Sequence, residues 1–283
     1  MSAHPEQSTS ASPLPLRRLA ATRYVTALRE GGSVPALVEA QDQAAGPGAE
    51  PALFVAKFRA AAQGGLTLAA ELIAGEIARA AGLPIPELAF IDVDAALGRS
   101  EPHQEIQELL VRSAGTNLAM GYLAGALGYD VAARRPVDGQ LASRIVALDL
   151  YVTNVDRTAR NPNLLWQGDR LWLIDNGASL IWHHGWDGAG TEADLVASAE
   201  RPFARARDHV LLPLADRLPE AAAWLASALD DARLAAIVET VPDGWLAEAA
   251  PALRPAYLTW LRARRAALPR ILDEAERVRP PRV

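Results

Sequence analysis

The stretch YVTNVDRTARNPNLLWQGDRLWLIDNG, residues 151–177, decides how this chain is read. Upstream of it, DGQLASRIVALDLYVTN spaces Leu141, Ile145, Leu148 and Val152 along one face, so a buried helix is expected to end near Asn154. Downstream, NLLW and RLWLI are short apolar runs joined by Gln-Gly-Asp, the pattern of a β-hairpin with a Gly-centred turn. Between helix and hairpin lie Asn154, Asp156, Arg157, Arg160, Asn161 and Asn163. An Asn-Pro turn after a helix would explain Asp156 and Asn161 taken alone. The hairpin argues for more. With the turn centred on Gly168, Trp166 faces Arg170, Leu165 faces Leu171 and Asn161 faces Asp175, so the second acid returns to the loop that holds the first.

Converging oxygens of this kind have a use. Magnesium is a hard cation that takes oxygen ligands, commonly one or two from protein and the rest from phosphate and water. Asn161 and Asp175 are therefore the candidate metal ligands. Asp156 is the candidate base that orients a hydroxyl and accepts its proton. Asp156 and Asn161 have the D-x-x-x-x-N spacing of a phosphoryl-transfer loop, and Asp175 opens Asp-Asn-Gly where kinases carry Asp-Phe-Gly.

Composition narrows the field. The chain has 283 residues, 50% of them apolar and 22% charged, with a formal net charge of −6. That balance disfavours nucleic acid, whose phosphates need a basic face. The lack of cysteine excludes disulfides, thiolate nucleophiles and Cys-ligated zinc. No apolar run reaches the length of a membrane span, and the start, MSAHPEQSTSASPLP, lacks an apolar signal core. Residues 1–15 are expected to be a disordered tail, and the chain to be cytoplasmic.

Of the 28 basic residues only Lys57 is a lysine. An ammonium is a compact point charge that a planar guanidinium does not replace. Lys57 sits in ALFVAKF, a strong strand candidate that resembles the V-A-I-K strand of kinases, whose lysine contacts nucleotide phosphates and is held by a Glu of the next helix. That helix is TLAAELIAGEIARAAG, with Leu68, Leu72, Ile73 and Ile77 on one face. Glu71 and Glu76 lie about 500° apart on it and cannot share a heading; Glu71, nearer the helix start, is preferred, and Glu76 is expected on a solvated face.

VAKF with AAELIAGEIARAAGLPIPE, VTNVDRTARNPNLL, and LWLIDNGASL followed by His-His together resemble the HipA-like kinases, over roughly residues 20–275. Asp156-Arg157 with Asn161 also resembles the D-R-x-x-x-N loop of phosphatidylinositol 3/4-kinases. The resemblance implies an α+β, bilobal protein-kinase-like fold, with a β-rich N-lobe over 16–115 and a helical C-lobe over 116–283. It implies ATP with Mg²⁺ and γ-phosphate transfer to an unknown hydroxyl acceptor, protein Ser or Thr being the candidate. Lys57 then binds phosphates, Asp156 is the base, and Asn161 and Asp175 hold metal. There is no G-x-G-x-x-G; Gly31, Gly32 and Ser33, in the turn of a hairpin from RYVTAL to VPALVEA, occupy the place of a phosphate-covering loop. No A-P-E follows Asp175.

Two other classes compete. One is a nucleotide-binding pseudokinase or interaction module without turnover. The other is a pyridoxal-phosphate enzyme, whose Schiff base needs one lysine; it leaves Asp156, Asn161 and Asp175 unexplained. Among the remaining features, Met120 to Leu123 fall where a hinge would line an adenine pocket, with plain core as the other reading. His183-His184 are not expected to be joint ligands. The arginines of LRARRAALPR are expected to be solvated, the seven tryptophans to be core, and HVLLPLADRL, AAAWLASALDDARLAAIVETV and PAYLTWLRARRAALPRILDEAERV to form a helical bundle.

Overall fold

A computed structural model describes residues 15–28, 35–46, 50–61 and 64–281. The expected tail, apart from Pro15, and the turn Gly31-Gly32-Ser33 lie outside these residues. In chain order come β1 (Arg17–Ala27), β2 (Ala36–Asp42), β3 (Ala52–Lys57), α1 (Gly64–Ala80), β4 (Leu88–Val93), α2 (Gln104–Arg112), β5 (Gly115–Gly121) and β6 (Leu127–Gly128). Then follow α3 (Gly139–Val152), β7 (Leu164–Gln167), β8 (Arg170–Leu173), α4 (Glu192–Ala199), α5 (Leu218–Ala228), α6 (Asp231–Glu239), α7 (Asp243–Leu246) and α8 (Ala250–Arg277). The chain is thus mixed α+β, with a small β-rich N-terminal part and a larger helical C-terminal part. None of the helices among the described residues is long and apolar enough to cross a membrane.

The N-terminal strands close into a barrel in the order β1-β2-β3-β5-β4, antiparallel except where β1 meets β4. β5 lies astride the boundary expected at 115/116. Its hydrogen bonds to β3 and β4 tie it to the barrel, because a closed sheet leaves no strand edge unpaired. Alternation along β3 sorts its side chains. Phe54 and Ala56 join the barrel's own core with Leu19, Val38 and Ile91, while Val55 and Lys57 point the other way.

A second core is continuous from α1 through the outer face of the barrel to the C-terminal helices, with Leu72, Ile77, Phe90, Tyr151, Leu225 and Trp260 among its members. α1 therefore belongs to both parts. Glu76, expected in solvent, is 1% exposed and paired with Arg79 one turn on. A buried carboxylate needs a charge partner, and Arg79 reaches it from the rim of the helix.

The C-terminal part departs from expectation in three places. HVLLPLADRL, residues 209–218, contains one short 3-10 turn, at Leu212–Leu214 and interrupted by Pro213, before α5 begins at Leu218. The long Ala-rich segment is two helices, divided where the Asp230 side chain accepts from the Arg233 N–H at 2.7 Å and starts α6. Among the arginines of α8, Arg264 is buried at 1% exposure rather than solvated. It donates to the carbonyls of Leu150, Ala199 and Arg201, which would otherwise be left open at the ends of α3 and α4.

The hairpin forms, one residue out of the expected register. Gln167 pairs with Arg170, Trp166 with Leu171, Leu165 with Trp172 and Leu164 with Leu173. The turn is the two-residue loop Gly168-Asp169, with Gly168 at φ +55° as the first central position of a II′ turn requires. Asn161 consequently does not face Asp175 across the ribbon. Instead the Ile174 N–H donates to the Asn163 carbonyl at 3.1 Å.

Candidate active site

α3 begins where the Asp138 side chain accepts from the Leu141 N–H, and it ends at Thr153, whose left-handed φ of 57° turns the chain out of the helix. On its last buried turn sits Asp149, fully buried. Asp149 accepts from Arg157 Nε at 2.6 Å, from Asn154 Nδ2 at 3.0 Å and from His209 Nε2 at 2.9 Å. The Leu211 N–H donates to His209 Nδ1, so Nε2 carries the proton given to Asp149. Burial alone would raise the Asp149 carboxyl; Arg157 and His209 together hold it below the usual aspartate range. Arg157 spends its other donors on the carbonyls of Asn163 and Ile174 and on Asn176 Oδ1. One buried ion pair thus pins helix end, polar loop and hairpin end together.

This frame presents Asp156. Its backbone N–H is held by Asn154 Oδ1 at 3.0 Å, and its Oδ2 accepts from Asn161 Nδ2 at 2.7 Å and Asn163 Nδ2 at 3.4 Å. Oδ1 is left for an outside partner. The amide of Asn161, by donating to Asp156, keeps its own carbonyl oxygen free on an exposed side chain.

Opposite, Lys57 is 7% exposed and lies 2.6 Å from both Glu71 and Asp175. Glu71, not Glu76, is its helix partner, because α1 turns only that side toward β3. Burial by itself lowers the Lys57 pKa, but attraction to Glu71 and Asp175 outweighs it and holds the ammonium well above its ordinary range. A pyridoxal-phosphate Schiff base needs a neutral amine, so this environment opposes that reading. Asp175 itself adopts a left-handed backbone, φ 53°, which keeps its carboxyl turned to the cleft. Burial would raise that carboxyl; Lys57, and more weakly Arg157, hold it below the usual range. Gly177 behind it touches α1 so closely that an added Cβ would meet Thr67 Cγ2 at 2.8 Å. The Asp-Asn-Gly segment is therefore locked to the helix that carries Glu71.

Lys57, Asn161, Asn163 and Asp175 all line one cleft of about 570 Å³ between barrel and helical part. Met120, Tyr122 and Leu123, from TNLAMGYLAG, form with Val55 an apolar wall of the same cleft. Leu28 and Pro35, which flank the segment holding Gly31, Gly32 and Ser33, border it too. Among the described residues no three His, Asp or Glu side chains are set to hold a metal alone. The donor set fits magnesium completed by phosphate oxygens: one carboxylate and one amide carbonyl, with the rest left to the nucleotide.

A sequence model of the HipA-like kinases matches residues 47–274. The chain belongs to the HipA-like kinase family. Among solved structures it is similar to the proinflammatory kinase CtkA of Helicobacter pylori, with a TM-score of 0.50 and 12% identity over 93% of this chain and 97% of that one. At that identity the likeness concerns the fold. No curated protein sequence is significantly similar.

Sequence reasoning did not find Asp149, His209 or the role of Asn163 at the site. Asp149 had a signal: a carboxylate inside the apolar run IVALDLYV must find a partner once buried. His209 had none, since 60 residues separate it from Asp149. His183 and His184 do touch, Nε2 to Nε2 at 3.2 Å, but within a 3-10 turn and against Tyr257 rather than in the cleft. Burial pushes the His183 pKa down to about 3.

Proposed function

We propose that the protein is a bilobal, ATP-dependent phosphotransferase acting on a hydroxyl acceptor in the cytoplasm. The observation that carries this reading is that Lys57, paired with Glu71 and Asp175, lines one cleft with Asp175 and Asn161, and that Asn161 in turn donates to Asp156. Val55 and Met120 offer an apolar surface to the adenine. Lys57 holds α/β-phosphate oxygens while Glu71 keeps its ammonium in place. Asn161 Oδ1 and Asp175 would hold Mg²⁺, which supplies charge neutralisation between the β- and γ-phosphates. Asp156 Oδ1 accepts a hydrogen bond from the acceptor hydroxyl and takes its proton as transfer proceeds.

ATP is expected to raise the unfolding temperature, more with Mg²⁺ than without. A ligand that binds only the native state adds about 2.7 kcal/mol at a hundredfold excess over Kd. Thermal unfolding with millimolar nucleotide checks this; no shift defeats the reading.

Asp175→Asn is expected to remove the magnesium effect while nucleotide alone still binds. Asn keeps shape and one oxygen but loses the charge that attracts a divalent cation. A residue that only shaped the turn would, on substitution, lose about 1 kcal/mol of stability and leave the magnesium response as in the parent. Nucleotide titrations with and without Mg²⁺ tell these apart.

A further inference from the structure

We propose that the phosphate acceptor is an acidic protein segment with an apolar anchor, docked in the groove beside Asp156. This rests on the phosphotransferase reading and adds the class of its substrate. The groove, of about 400 Å³, opens next to the loop that carries Asp156 and is separate from the nucleotide cleft. Val155, adjacent in sequence to Asp156, is part of its wall. Its N–H donates to the Ala178 carbonyl, and the Leu180 N–H donates to the Val152 carbonyl. The segment following Asp175 is therefore laid along the segment preceding Asp156, and a chain seated here passes beside the base.

Two properties of the groove select the occupant. The first is apolar surface. Ile181 is 46% exposed, and with Val155, Trp182 and Phe203 it forms a wall suited to an aliphatic or aromatic side chain. Trp182 is held for this by stacking on Trp260, at 5.8 Å between ring centres.

The second is charge. The protein carries a net −6, yet no carboxylate lines this groove, while Arg201, Arg205 and Arg264 do. Arg264 gives its donors to carbonyls, and no carboxylate is hydrogen-bonded to it. The side chains of Arg201 and Arg205 are exposed and, among the described residues, make no ion pair or hydrogen bond. The bridge between Thr158 and His209 brings the loop of exposed Arg160 alongside that of exposed Arg207; the acids of these two loops are Asp156 and Asp208. A positive rim around an apolar floor in an acidic protein complements an acidic peptide with an apolar residue, and steers it to the site. Nucleic acid would offer phosphates to the same arginines, and an oligonucleotide is therefore a competing occupant in the test.

The test measures binding of fluorescein-labelled probes of equal length to the full chain. One peptide carries Glu residues around a Ser and a Leu; a second has Lys for Glu; a third has Ala for Leu; a fourth probe is oligothymidylate. The first should bind at least about tenfold tighter than the other three. Arg201→Glu with Arg205→Glu should weaken it about tenfold, and Ile181→Ser should remove the advantage over the Ala peptide. All variants should keep the parent's stabilisation by ATP. Equal binding of the Lys peptide or the oligonucleotide, or indifference to the charge reversal, overturns the proposal. If ATP stabilises the parent and the peptides are not discriminated, this inference fails alone. If the acidic peptide is preferred and ATP has no effect, the groove is a docking surface and the phosphate-acceptor assignment is overturned together with the phosphotransferase reading.

Discussion

Asp156→Asn should lose about 10²–10⁴-fold in phosphate transfer, the range for removal of a general base, while binding nucleotide as the parent does. The geometry motivates both halves. Asp156 Oδ2 is engaged by the amides of Asn161 and Asn163, which leaves Oδ1 as the one oxygen able to meet an acceptor hydroxyl. Asn at this position is nearly isosteric and can still be oriented by the Asn154 side chain through its backbone N–H. It cannot take a proton. Lys57, Glu71 and Asp175 are untouched by the change, so the phosphate-binding half of the cleft stays intact. Transfer of γ-phosphate to water or to the chain's own hydroxyls gives the rate without a known acceptor, and equilibrium titration gives nucleotide affinity. Undiminished transfer would remove Asp156 from the role of base. A chain that binds nucleotide but shows no transfer in the parent either would be a pseudokinase.

Arg157→Met should cost about 3–5 kcal/mol, because it leaves Asp149 charged, fully buried and short of its main partner. For a protein of this size that is a fall of about 5–8 °C in Tm. Removing both charges, as Asp149→Leu with Arg157→Met, should recover part of the loss, since breaking a buried pair costs more than replacing it. The effect is pH-dependent with a definite sign. The Asp149 carboxyl is depressed in the folded protein, so the pair's contribution is complete above the unfolded aspartate value of about 4 and is lost as pH falls through the lower folded value. The gap in Tm between parent and Arg157→Met should therefore shrink on acidification. A gap of about 1 kcal/mol or less at neutral pH, the range of an exposed pair, would mean that the pair does not frame the loop.

Much of the candidate site could be read before the fold was known, for a physical reason. Lys57, Asp156, Asn161 and Asp175 are polar residues set in or against short apolar runs, and period-2 or period-3.6 spacing shows where each run points. Lys57 ends a strand whose alternate residues fill a barrel, so its side chain must leave on the opposite face. A helix gives Glu71 and Glu76 different headings, so only one can pair with Lys57, and Glu71 is preferred for lying nearer the helix start. The hairpin was legible as well, but its register was not. A shift of one residue changes the turn from one centred on Gly168 to the loop Gly168-Asp169, and the local sequence suits both.

The sequence by itself determined the strand with its lysine, the helix with its glutamate, the helix that delivers the polar loop and the hairpin that returns Asp175. These rest on local spacing, turn chemistry and the exclusion of apolar side chains from water. Tertiary structure alone decided what holds them to one another. It closed β5 into the barrel, brought His209 across 60 residues to Asp149, and buried Arg264 among three carbonyls that belong to other elements. Such pairings have no sequence period, because the cost of an unpaired buried charge is met by whichever partner the packed fold puts within reach.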